Sequence, residues 1–114
     1  MATTALVAAL ASSANAADNY APYHTCKQVL QNYDAPQGSK ANRVWREELS
    51  WLLGFVEGAG VVGNFNPDDI LKLDGGPVQM MLWTCRQYPD GKLWNAANAV
   101  VGYALDRQKE RAAK

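Results

Sequence analysis

The spacing of apolar and polar residues predicts a chain of helices. Apolar side chains recur at steps of three and four residues over 26–33, 41–62 and 93–109, and in a further segment that begins at Pro77. Such steps place the apolar side chains on one face of a helix. A short helical turn is predicted over 67–71. The pattern therefore predicts an all-α fold, a small bundle of four to five helices.

The same spacing predicts which side of each helix points into the core. The inward positions of the long second helix are Trp45, Leu49, Leu52, Val56 and Ala59. Those of the last helix are Leu93, Ala97, Val100, Ala104 and Leu105. The polar segment 106–114 has no such pattern and is expected to fray.

Residues 1–16 have the features of a cleaved signal peptide. An apolar run over 5–11 precedes Ala14-Asn15-Ala16, the small-x-small pattern of a signal-peptidase site. Cleavage after Ala16 would leave 17–114 as a single domain, exported to the periplasm or outside the cell. The alternative is an alanine-rich amphipathic or disordered N-terminus, since no Lys or Arg precedes the apolar run. No other segment is long and apolar enough to predict a membrane span.

Each of the two cysteines, Cys26 and Cys85, falls on the apolar face of its own predicted helix. In an oxidising compartment two such cysteines favour a disulfide, which would staple two helices across the core. The alternative is a redox-active or nucleophilic thiol, although neither cysteine belongs to a Cys-x-x-Cys pair.

Charge and residue counts argue against two classes of protein. The 114 residues include 11 Lys and Arg, 11 Asp and Glu, and one His. A net charge of zero argues against a nucleic-acid-binding protein, which would carry clustered basic residues. Two cysteines and one histidine are too few for the ligand set of a structural zinc site. No metal and no cofactor are predicted.

Candidate catalytic residues are almost absent from the sequence. His24, the single histidine, lies near the N-terminus and is expected to be exposed to solvent. The adjacent pairs Glu47-Glu48 and Asp68-Asp69 point in different directions on a helix, so neither forms a shared carboxylate site. No catalytic residue is predicted, and the chain is not expected to be an enzyme.

The segment Gly58-Ala-Gly60-Val-Val-Gly63 has the G-x-G-x-x-G spacing of a phosphate-binding loop. Such a loop needs a strand before it and a helix after it, so residues 52–56 would have to form that strand. The favoured alternative is close helix packing, in which Gly54, Gly58 and Gly60 let another helix approach.

Tryptophan positions suggest a surface for partners. Trp45 fits the inward stripe, whereas Trp51, Trp83 and Trp94 fall outside it. Exposed tryptophans would mark a partner surface, because aromatic side chains dominate interface energetics. Glu57 is expected on an exposed helix face, with a pH-sensing carboxylate at an interface as the alternative. The candidates for partner or client binding are Trp51, Phe55, Glu57, Trp83 and Trp94.

Three segments together carry a resemblance to a known family. They are Thr25-Cys-Lys-Gln-Val-Leu30, Gly54-Phe55-x-x-Gly58, and Cys85-Arg-Gln-Tyr-Pro89 followed by Trp94. With them the chain resembles the HdeA superfamily of small, exported, all-helical bacterial proteins, over about residues 25–105. The resemblance implies one disulfide, between the two cysteines.

The resemblance implies two functions, neither of them enzymatic. Acid-stress chaperones of the periplasm are folded and often dimeric near neutral pH, and in acid they expose apolar surface to unfolded clients. Immunity proteins of type VI secretion bind and neutralise a toxic effector. The chaperone is the first expectation, and the immunity protein is the alternative. The partners expected are therefore unfolded periplasmic clients or a toxin effector, and a second copy of the chain in a homodimer.

Overall fold

The computed structural model describes residues 20–113 as an all-α protein. This part of the chain forms α1 (Cys26–Tyr33), α2 (Lys40–Gly63), α3 (Pro67–Ile70), α4 (Gly76–Gln87) and α5 (Leu93–Ala113). Short 3-10 turns, Ala21–Tyr23 and Lys72–Asp74, precede α1 and α4. Within residues 20–113 there is no strand, only an isolated bridge between Thr25 and Lys92. The predicted helical bundle is confirmed, and the predicted signal peptide over 1–16 lies outside the described residues.

Local side chains fix where the helices begin and end. The Thr25 hydroxyl accepts a hydrogen bond from the backbone N–H of Gln28, and the Gln28 side chain accepts one from the N–H of Thr25. This capping box starts α1 at the predicted residue. The side chains of Ser39 and Asn66 cap α2 and α3. Asn64, with a left-handed backbone (φ 58°), ends α2.

The predicted disulfide joins Cys26, the first residue of α1, to Cys85 in α4. The two Cα atoms lie 4.8 Å apart, and both cysteines are buried. The four longer helices surround the bond with buried side chains: Val29, Trp45, Leu52, Val56, Met81, Leu82, Leu93, Ala96, Ala97 and Val100. The small disulfide-stapled bundle is confirmed, and the alternative of a free thiol is excluded.

The inward faces of α2 and α5 differ in part from the predicted ones. The buried positions of α2 are Trp45, Glu48, Leu52, Val56 and Gly60, while Leu49 and Ala59 are only half-buried. On α5 the predicted inward Leu105 is exposed and Ala96 is buried instead. Leu105 follows Val100 by five residues, which is a rotation of about 140° around the helix.

The last turns of α5 are helical to Ala113, so the expected fraying of 106–114 is wrong over the described residues. Arg107 donates to both carboxylate oxygens of Asp74, at 3.0 and 3.2 Å. Arg111 donates to Asp69 Oδ2 at 2.9 Å. These partners lie 33 and 42 residues away in sequence, so the polar tail is held by contacts that local polarity does not reveal.

Glycine packing in α2 also differs from the expectation. A side-chain carbon at Gly54 or Gly58 would have no atom within 4 Å, so no helix approaches there. At Gly60 it would lie 2.6 Å from the carbonyl oxygen of Phe65, in the loop that follows α2. Residues 58–63 are helical throughout. The G-x-G-x-x-G segment is thus not a turn between strand and helix, and the phosphate-loop interpretation is wrong.

Candidate partner-binding surfaces

Among the buried residues of the described part of the chain, Glu48 on α2 is the one with an ionisable acidic side chain, and it is fully buried. Its Oε2 lies 2.7 Å from Nδ1 of His24, and its Oε1 accepts a hydrogen bond of 3.1 Å from Nδ2 of Asn32. The three side chains come from the segment before α1, from α1 and from α2. They therefore tie the N-terminal part of the described chain to the long helix.

His24 was expected to be exposed, but its side chain is only 12% exposed, so that prediction is wrong. Glu48 follows Trp45 by three residues and precedes Leu52 by four, which puts it on the inward stripe. A buried carboxylate needs a partner, because an unpaired buried charge is strongly destabilising. The position of Glu48 on the stripe is the signal that sequence reasoning passed over.

The outward side of α2 carries an apolar face near the two open glycines. Trp51 and Phe55 stack with their ring centroids 5.2 Å apart and their planes 19° apart. Nearly two turns beyond Phe55, Val61 and Val62 are 84% and 90% exposed. Trp51 and Phe55, two of the predicted partner-binding residues, thus lie together on one helix face.

Glu57 is exposed on α2, in agreement with the favoured interpretation. It lines a surface cleft of 640 Å³ with Gly60, the loop over 64–66 and the first two residues of α3. Asp68 also lines this cleft, and the side chains of Glu57 and Asp68 are both exposed. The cleft can offer negative charge to a partner, but no apolar anchor from α4 or α5 reaches it.

Trp83 is 49% exposed and forms a ridge between two surface pockets. Its ring meets the ring of Tyr103 edge-on, with the centroids 6.3 Å apart and the planes at 76°. The pockets on either side of this ridge measure 460 and 370 Å³. Both lie between α4 and α5, so the pairing of these two helices builds an aromatic groove.

Trp94 is 41% exposed at the start of α5. It precedes Tyr103 by nine residues, about two and a half helical turns, so the two side chains lie on opposite flanks of α5. Trp94 is therefore separate from the Trp83 groove. The five predicted binding residues do not form one site, and two of the four tryptophans are exposed as partner anchors would be.

Ion pairs hold α3 and the following 3-10 turn to the end of α5. Hydrogen bonds from Arg111 and Lys72 hold the pKa of Asp69 below its usual range. Asp74, and then Glu110, raise the pKa of Arg107. The carboxylates of Asp69, Asp74 and Glu110 are thus all engaged in ion pairs with arginine or lysine, and Asp74 is the most buried of the three.

Within residues 20–113 no helix is long and apolar enough to cross a membrane, and no three metal-ligating side chains cluster. Comparison with known proteins adds no relative. No protein-family model matches the chain, no curated protein sequence matches it, and no solved structure matches it. The class that the geometry defines is a disulfide-stapled helical bundle with exposed aromatic surfaces.

Proposed function

We propose that this chain is a small periplasmic, non-enzymatic binding protein, an acid-stress chaperone of the HdeA type that holds unfolded clients. One observation carries the proposal. One end of the bundle is joined by the disulfide between α1 and α4, while the other end is held by carboxylate ion pairs between α3, the 3-10 turn and α5. Acid would break the ion pairs by protonating their carboxylates, whereas the disulfide would stay intact.

The charge balance supports an acid response. The 11 Asp and Glu balance 11 Lys and Arg at neutral pH. At about pH 2 most carboxylates are protonated, and with His24 charged the side-chain total approaches about +12. Self-repulsion of that size loosens a compact state. Because Asp69 and Asp74 would no longer bind arginine, loosening would begin at the end of α5.

The surface uncovered by this opening would be apolar. Ile70 and Leu71 are buried beneath the exposed ion pairs, and Ala104 is buried on the facing side of α5. Separation of α3 from α5 would present these side chains to unfolded proteins. The cysteines at the opposite end would keep the opened chain compact, so that it refolds when the pH rises.

The test is an aggregation assay with a client that precipitates in acid. Protein and client are mixed at neutral pH and shifted to about pH 2–3, and light scattering is recorded. We expect the protein to suppress the light scattering of the client in acid. At neutral pH we expect no such protection. The double variant Asp69→Asn, Asp74→Asn should protect at a higher pH than the wild type. Glu47→Gln, which changes an exposed carboxylate outside the ion pairs, is the matched control.

A protein that stays folded in acid and leaves the scattering unchanged would contradict the chaperone proposal. The proposal also includes a homodimer near neutral pH. Sedimentation at two protein concentrations tests that part separately.

A second candidate is an immunity protein that binds and neutralises a type VI secretion effector. The observation that favours it is the groove at Trp83 and Tyr103, which exists in the folded protein and needs no acid. A tight complex at neutral pH with the product of an adjacent toxin gene would support this function. Absence of such a complex, together with acid protection of clients, would exclude it.

A further inference from the structure

We propose that the groove between α4 and α5 binds an extended peptide segment of a partner protein at neutral pH. The segment would place an apolar side chain in each of the two pockets beside the Trp83–Tyr103 ridge. It would carry an acidic residue next to the first pocket and a basic residue next to the second. This site belongs to the folded state, and so it is distinct from the acid-opened surface proposed above.

The ridge and its two pockets set the spacing of the partner side chains. The first pocket, of 460 Å³, has Met80 in its wall, and the second, of 370 Å³, has Tyr88 and Gly102 in its wall. Both pockets share the rings of Trp83 and Tyr103. A side-chain carbon at Gly102 would meet nothing within 4 Å, so this part of the groove is open.

The charged groups that are not paired within the described part of the chain have opposite signs in the two pockets. Arg86, Arg107 and Asp74 line the first pocket, and Asp106 lines the second. Arg107 is already bound to Asp74 and Glu110, whereas Arg86 has no ion pair within the described part of the chain. Asp106 likewise has none there. One unpaired cation and one unpaired carboxylate on either side of an aromatic ridge give a partner segment its direction.

The openness of the groove favours a peptide over a small molecule. Small-molecule sites enclose most of their ligand, but Trp83 is half-exposed and both arginines are exposed. Tryptophan, tyrosine and arginine are the residues enriched among the anchors of protein interfaces. The groove combines all three types across two helices, and two adjacent pockets suit side chains that alternate along one extended segment.

The experiment uses the full folded protein and a phage-displayed library of random dodecapeptides, selected at neutral pH. We expect the enriched sequences to combine an acidic residue and a basic residue with two apolar residues between them. A synthetic peptide of the leading sequence is then titrated and followed by fluorescence anisotropy. Trp83→Ala should weaken its binding by about tenfold or more. Arg86→Glu should weaken it similarly, and a peptide with its acidic residue changed to Lys should recover the loss.

Two variants serve as matched controls. Trp94→Ala removes a tryptophan of similar exposure on the opposite flank of α5, and Lys109→Glu reverses an exposed charge outside both pockets. Both should bind the peptide as the wild type does. Circular dichroism checks that each variant is folded. If Trp83→Ala does not fold, the charge swap at Arg86 decides the question.

Three results would overturn the proposal. The first is a selection with no enriched peptide, or with peptides that lack acidic residues. The second is a peptide whose affinity is unchanged by both groove variants. The third is a wild-type dimer at neutral pH that Trp83→Ala dissociates, because a second copy of the chain would then fill the groove.

Discussion

Replacing His24 with alanine removes one of the two partners described for the buried Glu48. The carboxylate is fully buried, with His24 Nδ1 2.7 Å and Asn32 Nδ2 3.1 Å from its oxygens. Removing one partner of a buried pair costs about 3–5 kcal/mol. Because the His24 side chain is 12% exposed, water can enter the vacated space, and we expect the lower value of about 3 kcal/mol.

A loss of that size is a large share of the stability of a small domain, which is about 5–15 kcal/mol. It should lower Tm by about 12 °C or more, since each kcal/mol corresponds to about 4–8 °C in a domain of this size. The free energy of unfolding is measured by urea titration at neutral pH with the disulfide intact, followed by far-UV circular dichroism. Glu47→Met, at the exposed neighbouring carboxylate, is the control and should change it by less than about 0.5 kcal/mol.

The double variant His24→Ala, Glu48→Met separates the loss of the His24–Glu48 contact from a loss of packing. Methionine buries an apolar chain of similar length, so the double variant should be more stable than His24→Ala by about 2 kcal/mol. Either of two results would refute the prediction that the buried Glu48 needs His24 as its partner. One is a cost below about 1 kcal/mol for His24→Ala, and the other is a double variant no more stable than that single variant.

Three further predictions follow from the ion pairs, the disulfide and the glycines. Asp69→Asn should flatten the rise of unfolding free energy with pH below about pH 4. A lowered folded-state pKa gives stability that is present above the ordinary Asp pKa and lost as the pH falls through the lowered one. An unchanged slope in urea titrations over this acid range would contradict this prediction. Cys85→Ser should cost about 4 kcal/mol, since the bond closes a loop between residues 59 apart; thermal unfolding at the wild-type Tm would count against it. Gly60→Ala should destabilise the folded protein, because its new carbon would lie 2.6 Å from the Phe65 carbonyl oxygen. Gly58→Ala, whose new carbon would meet no atom within 4 Å, should stabilise α2 by about 0.5–1 kcal/mol. Denaturant titrations in which Gly60→Ala is the more stable of the two variants would contradict this prediction.

The parts of the fold that depend on nearby residues could be predicted from the sequence. Thr25 caps α1 through a residue three positions later, and the apolar spacing within α1 is equally local. The disulfide could be predicted because Cys26 and Cys85 both follow the inward phase of their helices. Short-range periodicity and capping were therefore sufficient to predict the helices and the disulfide.

Contacts between distant residues could not be predicted in the same way. His24 and Glu48 are 24 residues apart, and Arg107 and Asp74 are 33 apart. Each of these pairs depends on how helices pack, which apolar periodicity does not specify. For this reason the sequence did not predict that residues 106–113 are helical or that His24 is largely buried.

The sequence predicted which residues of the candidate surfaces are exposed, but not which of them lie next to one another in the fold. The exposure of Trp83 and Trp94 follows from their position outside the inward phase. The groove at Trp83 needs Tyr103 from α5, and the sequence offers no signal that pairs the two rings. Likewise, the open surface at Gly54 is visible only once the packing of α2 is known.

In the proposed mechanism, acid opens the end of the bundle that is held by ion pairs and spares the end that is held by the disulfide. Residue-resolved hydrogen exchange, at neutral pH and at about pH 2–3 and corrected for intrinsic rates, tests it most directly. We predict that amides around Ile70, Leu71 and Ala104 lose protection in acid, while those around Val29 and Leu82 keep it. Uniform loss of protection across the bundle, or full protection at both ends, would contradict opening at one end.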